Sequence, residues 1–341
     1  MKYSAPWWLP GGNLQTIWAA VLSRRFMDVQ PTFRRERWET PDKDFVDVDW
    51  LTPQAGVTGS TSTNLSIGTS ISSAPLLVVF HGLEGSSESH YAEALADAAR
   101  ARGWACAVPH FRGCSGEMNL APRAYHSGDF EEIDWILRRL KSQHAGPVFA
   151  VGISLGGNAL IRWASEVGSA ANAVVAGVAS VCSPLDLAAS GWAIGRGFNR
   201  LVYTRMFLRS MVPKALKKLD QHPGLFSREA LLAARDLYAF DNVVTAPLHG
   251  FKNTEDYWSR ASAKPHMRSI AVPALALNAQ NDPFVPAWSL PVAADVSASV
   301  TLWQPAEGGH VGFPSAPFPG HVLAMPEAVT GFFAKLLPSG K

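Results

Sequence analysis

The pentapeptide Gly152-Ile153-Ser154-Leu155-Gly156 constrains the fold of this chain more than any other feature. It follows Pro147-Val148-Phe149-Ala150-Val151, a short apolar run that reads as a buried strand. It precedes Asn158-Ala159-Leu160-Ile161-Arg162-Trp163-Ala164, which reads as a helix. A chain that passes from strand to helix in so few residues needs glycines where the backbone is crowded. The turn pushes the serine hydroxyl out above the sheet, and the helix start behind it leaves backbone N–H groups free at the same place. This is the context of a nucleophile elbow. The competing reading is a tight strand–helix turn with an incidental serine.

The rest of the chain repeats the alternation. Leu76–Phe80, Ala105–Pro109 and residues 148–152, 174–181, 274–279 and 300–304 are strand-like runs, and Phe45–Leu51 alternates like a half-exposed strand. Between them, residues 91–102 form an Ala-rich helix candidate closed by Gly103, and residues 130–140 place Ile133, Ile136, Leu137 and Leu140 on one face behind Asp129 as N-cap. Leu155–Val167 and residues 326–337 complete the set. Alternating strands and helices predict an α/β fold with a mostly parallel central sheet covered on both faces.

Two segments break the rhythm. Residues 52–74 are rich in Ser, Thr and Gly and read as a flexible, solvated connection between strands. Residues 184–265 lack buried-strand runs, contain helical stretches such as 198–208, and read as a helical lid or cap inserted into the domain. At 341 residues the chain could hold one large domain or two ordinary ones. The single alternating pattern predicts one domain over 1–341. Near the N-terminus, Leu14, Ile17, Trp18, Val21 and Leu22 have helical spacing and predict a docked amphipathic helix ending at Arg24 and Arg25; contact with a membrane surface is the less favoured reading.

Composition excludes several classes. Apolar residues make up 47%, enough for a sizeable core, and 17% are charged, too few for a disordered or strongly solvated chain. The net charge of +2 is spread without a basic stripe, which argues against nucleic acid. Cys106, Cys114 and Cys182 form no disulfide framework and have no metal-ligand spacing. The N-terminus lacks the apolar stretch of a signal peptide, and no run approaches the roughly 18 apolar residues of a membrane span. The expectation is a cytoplasmic protein that needs neither metal nor organic cofactor.

A serine hydroxyl is a poor nucleophile until a base, usually histidine, takes its proton, and a carboxylate holds that histidine in the right tautomer. Behind an elbow of this type the acid and then the histidine follow the serine in the chain. Asp282 lies just past the strand-like run 274–279, where open α/β sheets place functional groups. Of the five histidines after Ser154, only His310 follows a terminal strand in a Gly-rich loop, Glu307-Gly308-Gly309-His310. Ser154, Asp282 and His310 are the candidate catalytic set. An acyl-transfer oxyanion needs prepositioned N–H donors, and those of Leu155 and Leu83 are the candidates. Leu83 lies in Phe80-His81-Gly82-Leu83-Glu84-Gly85-Ser86, a glycine-bearing loop after a buried strand; His81 reads as structural there. Arg112 and Asp129 read as loop residues held by salt bridges.

Several segments together carry a resemblance that covers nearly the whole chain. They are Gly11-Gly12-Asn13-Leu14-Gln15-Thr16, His81-Gly82-Leu83-Glu84-Gly85-Ser86, Phe111-Arg112-Gly113-Cys114-Ser115-Gly116 and Tyr125-His126-Ser127-Gly128. Gly152-Ile153-Ser154-Leu155-Gly156-Gly157-Asn158 and Thr245-Ala246-Pro247-Leu248-His249-Gly250-Phe251 follow. The chain resembles the YheT-like branch of the α/β-hydrolase superfamily, a group of esterases known by prediction. The resemblance implies a Ser-Asp-His triad, which falls on Ser154, Asp282 and His310. Eukaryotic relatives are often membrane-anchored and act on lipid esters; their N-terminal anchor is not seen in this sequence, so membrane attachment is not expected. The expected reaction is hydrolysis of carboxylic esters, short- to medium-chain or lipid-like, through an acyl-enzyme. Lipase, phospholipase, thioesterase, peptidase or cofactor-free perhydrolase chemistry would use the same triad, and a binding module on a hydrolase scaffold is the remote alternative.

Overall fold

The computed structural model of the chain describes residues 2–53 and 73–338. The Ser/Thr/Gly-rich connection predicted at 52–74 lies, apart from its ends, outside the described residues. The strands are β1 (Phe33–Glu39), β2 (Phe45–Leu51), β3 (Leu76–Phe80), β4 (Ala105–Pro109), β5 (Val148–Ile153), β6 (Gly177–Val181), β7 (Ala274–Leu277) and β8 (Val300–Trp303). They form one sheet in the order β1-β2-β4-β3-β5-β6-β7-β8. β1 and β2 pair antiparallel, β2 joins β4 antiparallel, and every pairing from β4 to β8 is parallel. The parallel strands inside the sheet are buried on both faces, while the edge strand β8 is exposed at Thr301. Leu76, Val78 and Phe80 face a core filled from α3 (Phe130–Gln143) and α4 (Leu155–Val167). Leu77 and Val79 face the opposite core, filled from α2 (His90–Ala101) and the last helix, Ala324–Ala334.

The sheet edge departs from the sequence expectation. β1 has five charges in seven residues and carries no apolar run. Register explains it: Arg35 lies opposite Asp49 and Arg37 opposite Asp47, and both guanidinium groups grip their carboxylates with two hydrogen bonds of 2.7–2.9 Å. These cross-strand pairs let a polar strand cover its neighbour. For the same reason β2 is not half-exposed. Asp47 and Asp49 are buried, and Asp49 also accepts from Ser87 Oγ and His110 Nε2.

Helix ends differ in detail. α3 runs on to Gln143, and Asp129 does not cap it; its carboxylate binds Arg123 instead, at 2.5 Å. The N-terminal helix, α1 (Gly12–Val21), does dock, but by only part of the predicted stripe: Trp18 is buried and Ile17 packs against the cluster around Tyr203 and Phe284. Leu14, Val21 and Leu22 are exposed, while Gln15, Thr16, Trp18 and Ala19 are buried. Between β6 and β7 the chain leaves the sheet for a helical insertion containing Leu187–Ile194, Arg205–Gln221, Arg228–Ala233 and Thr254–Ala261. It has small apolar clusters of its own, one around Leu231, Phe240 and Val244 and another around Tyr257 and Trp258. Among the described residues no helix is long and apolar enough to cross a membrane.

Candidate active site

The strand order reverses between β3 and β5, since β4 lies on the far side of β3 and β6 on the far side of β5. The crevice beyond the carboxyl ends of such a pair is where open α/β sheets bind ligands. Ser154 follows β5 directly, in a left-handed conformation (φ 52°, ψ −117°) that a side chain rarely adopts. Its N–H is held by the Val181 carbonyl at 2.8 Å, and its own carbonyl accepts from Gly157 and Asn158 as α4 begins. The turn is too tight for side chains on either flank. A Cβ on Gly152 would lie 2.4 Å from the Gly156 carbonyl oxygen, and one on Gly156 2.4 Å from that of His81.

Asp282 and His310 leave the same sheet edge on the loops after β7 and β8. Asp282 Oδ1 accepts from the backbone N–H of Phe284 at 2.7 Å and Val285 at 3.3 Å, and Oδ2 lies 2.8 Å from His310 Nδ1. That carboxylate keeps the proton on Nδ1, which leaves the Nε2 lone pair facing Ser154 Oγ at 3.0 Å. The imidazole also packs against the Phe284 ring, with centroids 4.2 Å apart. The three side chains named from the sequence therefore meet in one hydrogen-bonded line. Asp282 is fully buried at its head, and His310 stays reachable from the cavity above it.

The loop after β3 approaches from the other side. A Cβ on Gly82 would touch that of Ser154 at 3.3 Å. Gly82 N–H donates to Tyr91 Oη and Glu84 N–H to Tyr125 Oη, both at 2.9 Å. Gly85 N–H is taken by the Gly82 carbonyl. Leu83 N–H, between these, has no acceptor among the described residues, and neither has Leu155 N–H at the start of α4. Both residues line the cavity with Ser154 and His310. The sequence does not reveal either role: Tyr91 lies nine residues and Tyr125 forty-one residues from the amide it occupies. His81 is buried with both nitrogens used: Nδ1–H donates to Gly82 O and Nε2 accepts from Phe111 N–H. Burial, with His110 beside it, pushes its pKa down to about 3.

The cavity wall is apolar where the insertion covers it, with Leu187, Ile194, Phe207, Met211, Val244 and Trp258. Lys214 of the insertion reaches across to Glu84 on the β3 loop, at 2.9 Å. Arg112 also lines the wall, but its guanidinium is held by Asp42, Asp44 and Glu132. Asn158, at the end of the elbow motif, is completely buried. It donates to the carbonyls of Ser127 and Ala261 and accepts from Ala263 N–H, so it ties the elbow to the Tyr125–Gly128 segment and to the end of the insertion. Its position after two glycines gave no hint of this.

Cys182, Asp282 and His310 lie close enough for their donor atoms to be weighed as a metal site. The donor chemistry argues against it. Burial and the charge of Asp282 push the Cys182 thiol well above its ordinary range, and the Val311 N–H already donates to its sulfur. The other two groups are engaged with each other. A soft thiolate and a free imidazole nitrogen are what a metal would require.

Residues 75–317 match the family model described as alpha/beta hydrolase fold. With its eight-stranded, mostly parallel mixed sheet and helical insertion, the chain belongs to the α/β-hydrolase fold family. Within that family it falls in the YheT-like group. It is 38% identical over 305 residues to the protein named "Putative esterase YheT" of Escherichia coli (strain K12), covering 88% of this chain and 84% of that one. It is 26% identical over 338 residues to Phospholipase ABHD3 of Mus musculus, covering 95% and 79%. Among solved structures, that of Est1E from Butyrivibrio proteoclasticus with ferulic acid bound aligns at a TM-score of 0.54 and 14% identity, over 88% of this chain and 98% of that one. At that identity the likeness is one of fold.

Proposed function

We propose that this protein is a serine hydrolase of carboxylic esters in which Ser154 is the nucleophile, His310 the general base and acid, and Asp282 the group that orients and stabilises the imidazolium. The observation that carries the reading is the continuous line from Asp282 through His310 to Ser154, with hydrogen bonds of 2.8 and 3.0 Å. His310 Nε2 takes the Ser154 proton as Oγ attacks the ester carbonyl. The N–H groups of Leu83 and Leu155 stabilise the oxyanion. The imidazolium returns its proton to the leaving alcohol, and the same base then activates the water that releases the acid. The apolar wall of the insertion suits an acyl chain, short to medium or lipid-like, and a relative named as a phospholipase favours the lipid-like end.

The test is Ser154→Ala. In a comparable triad loss of the serine costs on the order of 10⁶ in kcat. Hydrolysis of p-nitrophenyl esters should vanish and a fluorophosphonate should no longer label the protein, with the fold intact by circular dichroism. Wild-type turnover in this variant would overturn the mechanism. Thioester and phospholipid hydrolysis use the same groups; a panel of acyl esters, thioesters and phospholipids ranks them by kcat/KM.

A further inference from the structure

The buried face of α1 is polar where it meets the site, and the side-chain oxygens of Gln15 and Thr16 accept from the two loops that bear Asp282 and His310. Gln15 is completely buried. Its Oε1 accepts from Gly308 N–H at 2.9 Å and from Asn281 Nδ2 at 3.0 Å, while its Nε2 donates back to Leu9 O. Asn281 Oδ1 in turn accepts from Gly309 N–H at 2.9 Å, so the acid loop and the histidine loop are bolted together through Gln15. Thr16 Oγ1 accepts from the backbone N–H of His310 itself at 2.8 Å and donates to Gly12 O.

The backbones approach so closely that only glycine fits. A Cβ on Gly12 would fall 1.8 Å from the Asn281 carbonyl oxygen, one on Gly309 2.7 Å from that of Gly12, and one on Gly312 2.5 Å from that of Gln15. On the adjoining turn Asn13 Oδ1 accepts from Tyr203 Oη of the insertion at 2.9 Å. The Tyr203 ring rests on Phe284, and Phe284 on His310.

We propose that α1 is a clamp for the catalytic loops, with Gln15 and Thr16 as positioning residues that set the reach of His310 Nε2 to Ser154. The proposal rests on the triad reading above. The Asp282 carboxylate fixes one ring nitrogen of His310 but not the backbone that carries the ring. Gln15 and Thr16 hold the backbone amides of Gly308 and His310 on the approach to the imidazole, while Cys182 Sγ accepts from Val311 N–H beyond it, so loss of the clamp acts on kcat through geometry. A misplacement of about 1 Å costs on the order of 100-fold in rate.

The experiment compares Thr16→Val, Thr16→Ser and Gln15→Met in the full chain, with Val21→Ser as a control on the exposed face of the same helix. Each is measured for kcat and KM on a p-nitrophenyl ester, for the second-order rate of fluorophosphonate labelling, and for Tm. For Thr16→Val we expect kcat and the labelling rate to fall roughly 10- to 100-fold with KM within about threefold. Thr16→Ser, which keeps the acceptor oxygen, should return to within about threefold of wild type, and Val21→Ser should match it. If Thr16→Val fails to fold, Thr16→Ala and Gln15→Met give the same readouts. A Thr16→Val protein that melts normally and keeps its kcat overturns the clamp, as does Thr16→Ser behaving no better than Thr16→Val. A wild-type protein that no fluorophosphonate labels at Ser154 overturns the triad reading instead, so the two failures are distinguishable.

Discussion

Each proposed chemical role falls on a residue whose neighbours leave it one conformation. Ser154 is strained, and Asp282 is fixed by two backbone amides before it meets His310. Asp282→Asn should keep those amide contacts, since an amide oxygen still accepts them, but it presents the wrong partner to Nδ1 and favours the wrong tautomer. We expect kcat to fall about 10⁴-fold with Tm almost unchanged; a loss below tenfold would remove Asp282 from the reaction. Gly157 is a structural counterpart. A Cβ there would stand 1.9 Å from Ser183 Oγ and 2.6 Å from the Gly152 carbonyl oxygen. Gly157→Ala should cost roughly 1–3 kcal/mol in urea unfolding through overpacking. At this scale the sequence was informative. Ser154, Asp282 and His310 could be named from motif, chain order and loop glycines. The roles of Tyr91, Tyr125, Asn158 and Gln15 could not, because a hydrogen bond to a backbone group has no spacing that encodes it.

Elements were legible in proportion to how much apolar surface they bury. β3 to β8 and α2 to α4 announce themselves by runs or periodicity. β1 does not, because it is anchored by Arg35 and Arg37 on buried carboxylates rather than by apolar contact. Burial alone would raise the pKa of Asp49, but hydrogen bonds from Arg35, His110 and Ser87 outweigh it and hold the carboxyl below its ordinary value. A depressed folded value means stability that is present above the unfolded pKa of roughly 4 and is lost as pH falls through the folded one. Asp49→Asn should therefore destabilise the wild type at pH 7 and lose most of that penalty near pH 2. A Tm difference independent of pH would show that the charge of Asp49 contributes nothing. The α1 stripe is legible only in part: Trp18 docks as its spacing predicts, whereas Leu14, Val21 and Leu22 stay exposed and the buried Gln15 and Thr16 satisfy loop amides.

Across the whole molecule, four buried neutral histidines contribute to the acid response. Burial pushes His81, His126 and His249 down to about 3 and His90 to about 4. Once unfolded they bind protons near pH ~6.5, whereas the folded protein resists until far lower, so stability present at neutrality is lost progressively as pH falls through that window. Thermal unfolding at pH 5 should take up protons, seen as an unfolding enthalpy that varies with the ionisation heat of the buffer. No variation would mean that these rings are already charged in the folded state.

The sequence by itself determined the alternating layers, the elbow and the order of serine, acid and histidine, because buried strands need apolar runs and a sharp strand–helix turn needs glycine. Only the tertiary structure decided that the loops after β3, β5, β7 and β8 converge beside one crevice, that α1 bolts two of them together, and that an insertion roofs the cavity. Those contacts join backbone and side-chain groups as many as 294 residues apart. Hydrogen bonds to a backbone amide ask for an oxygen at a point in space, not for a residue type at a fixed interval, and so leave no period to read.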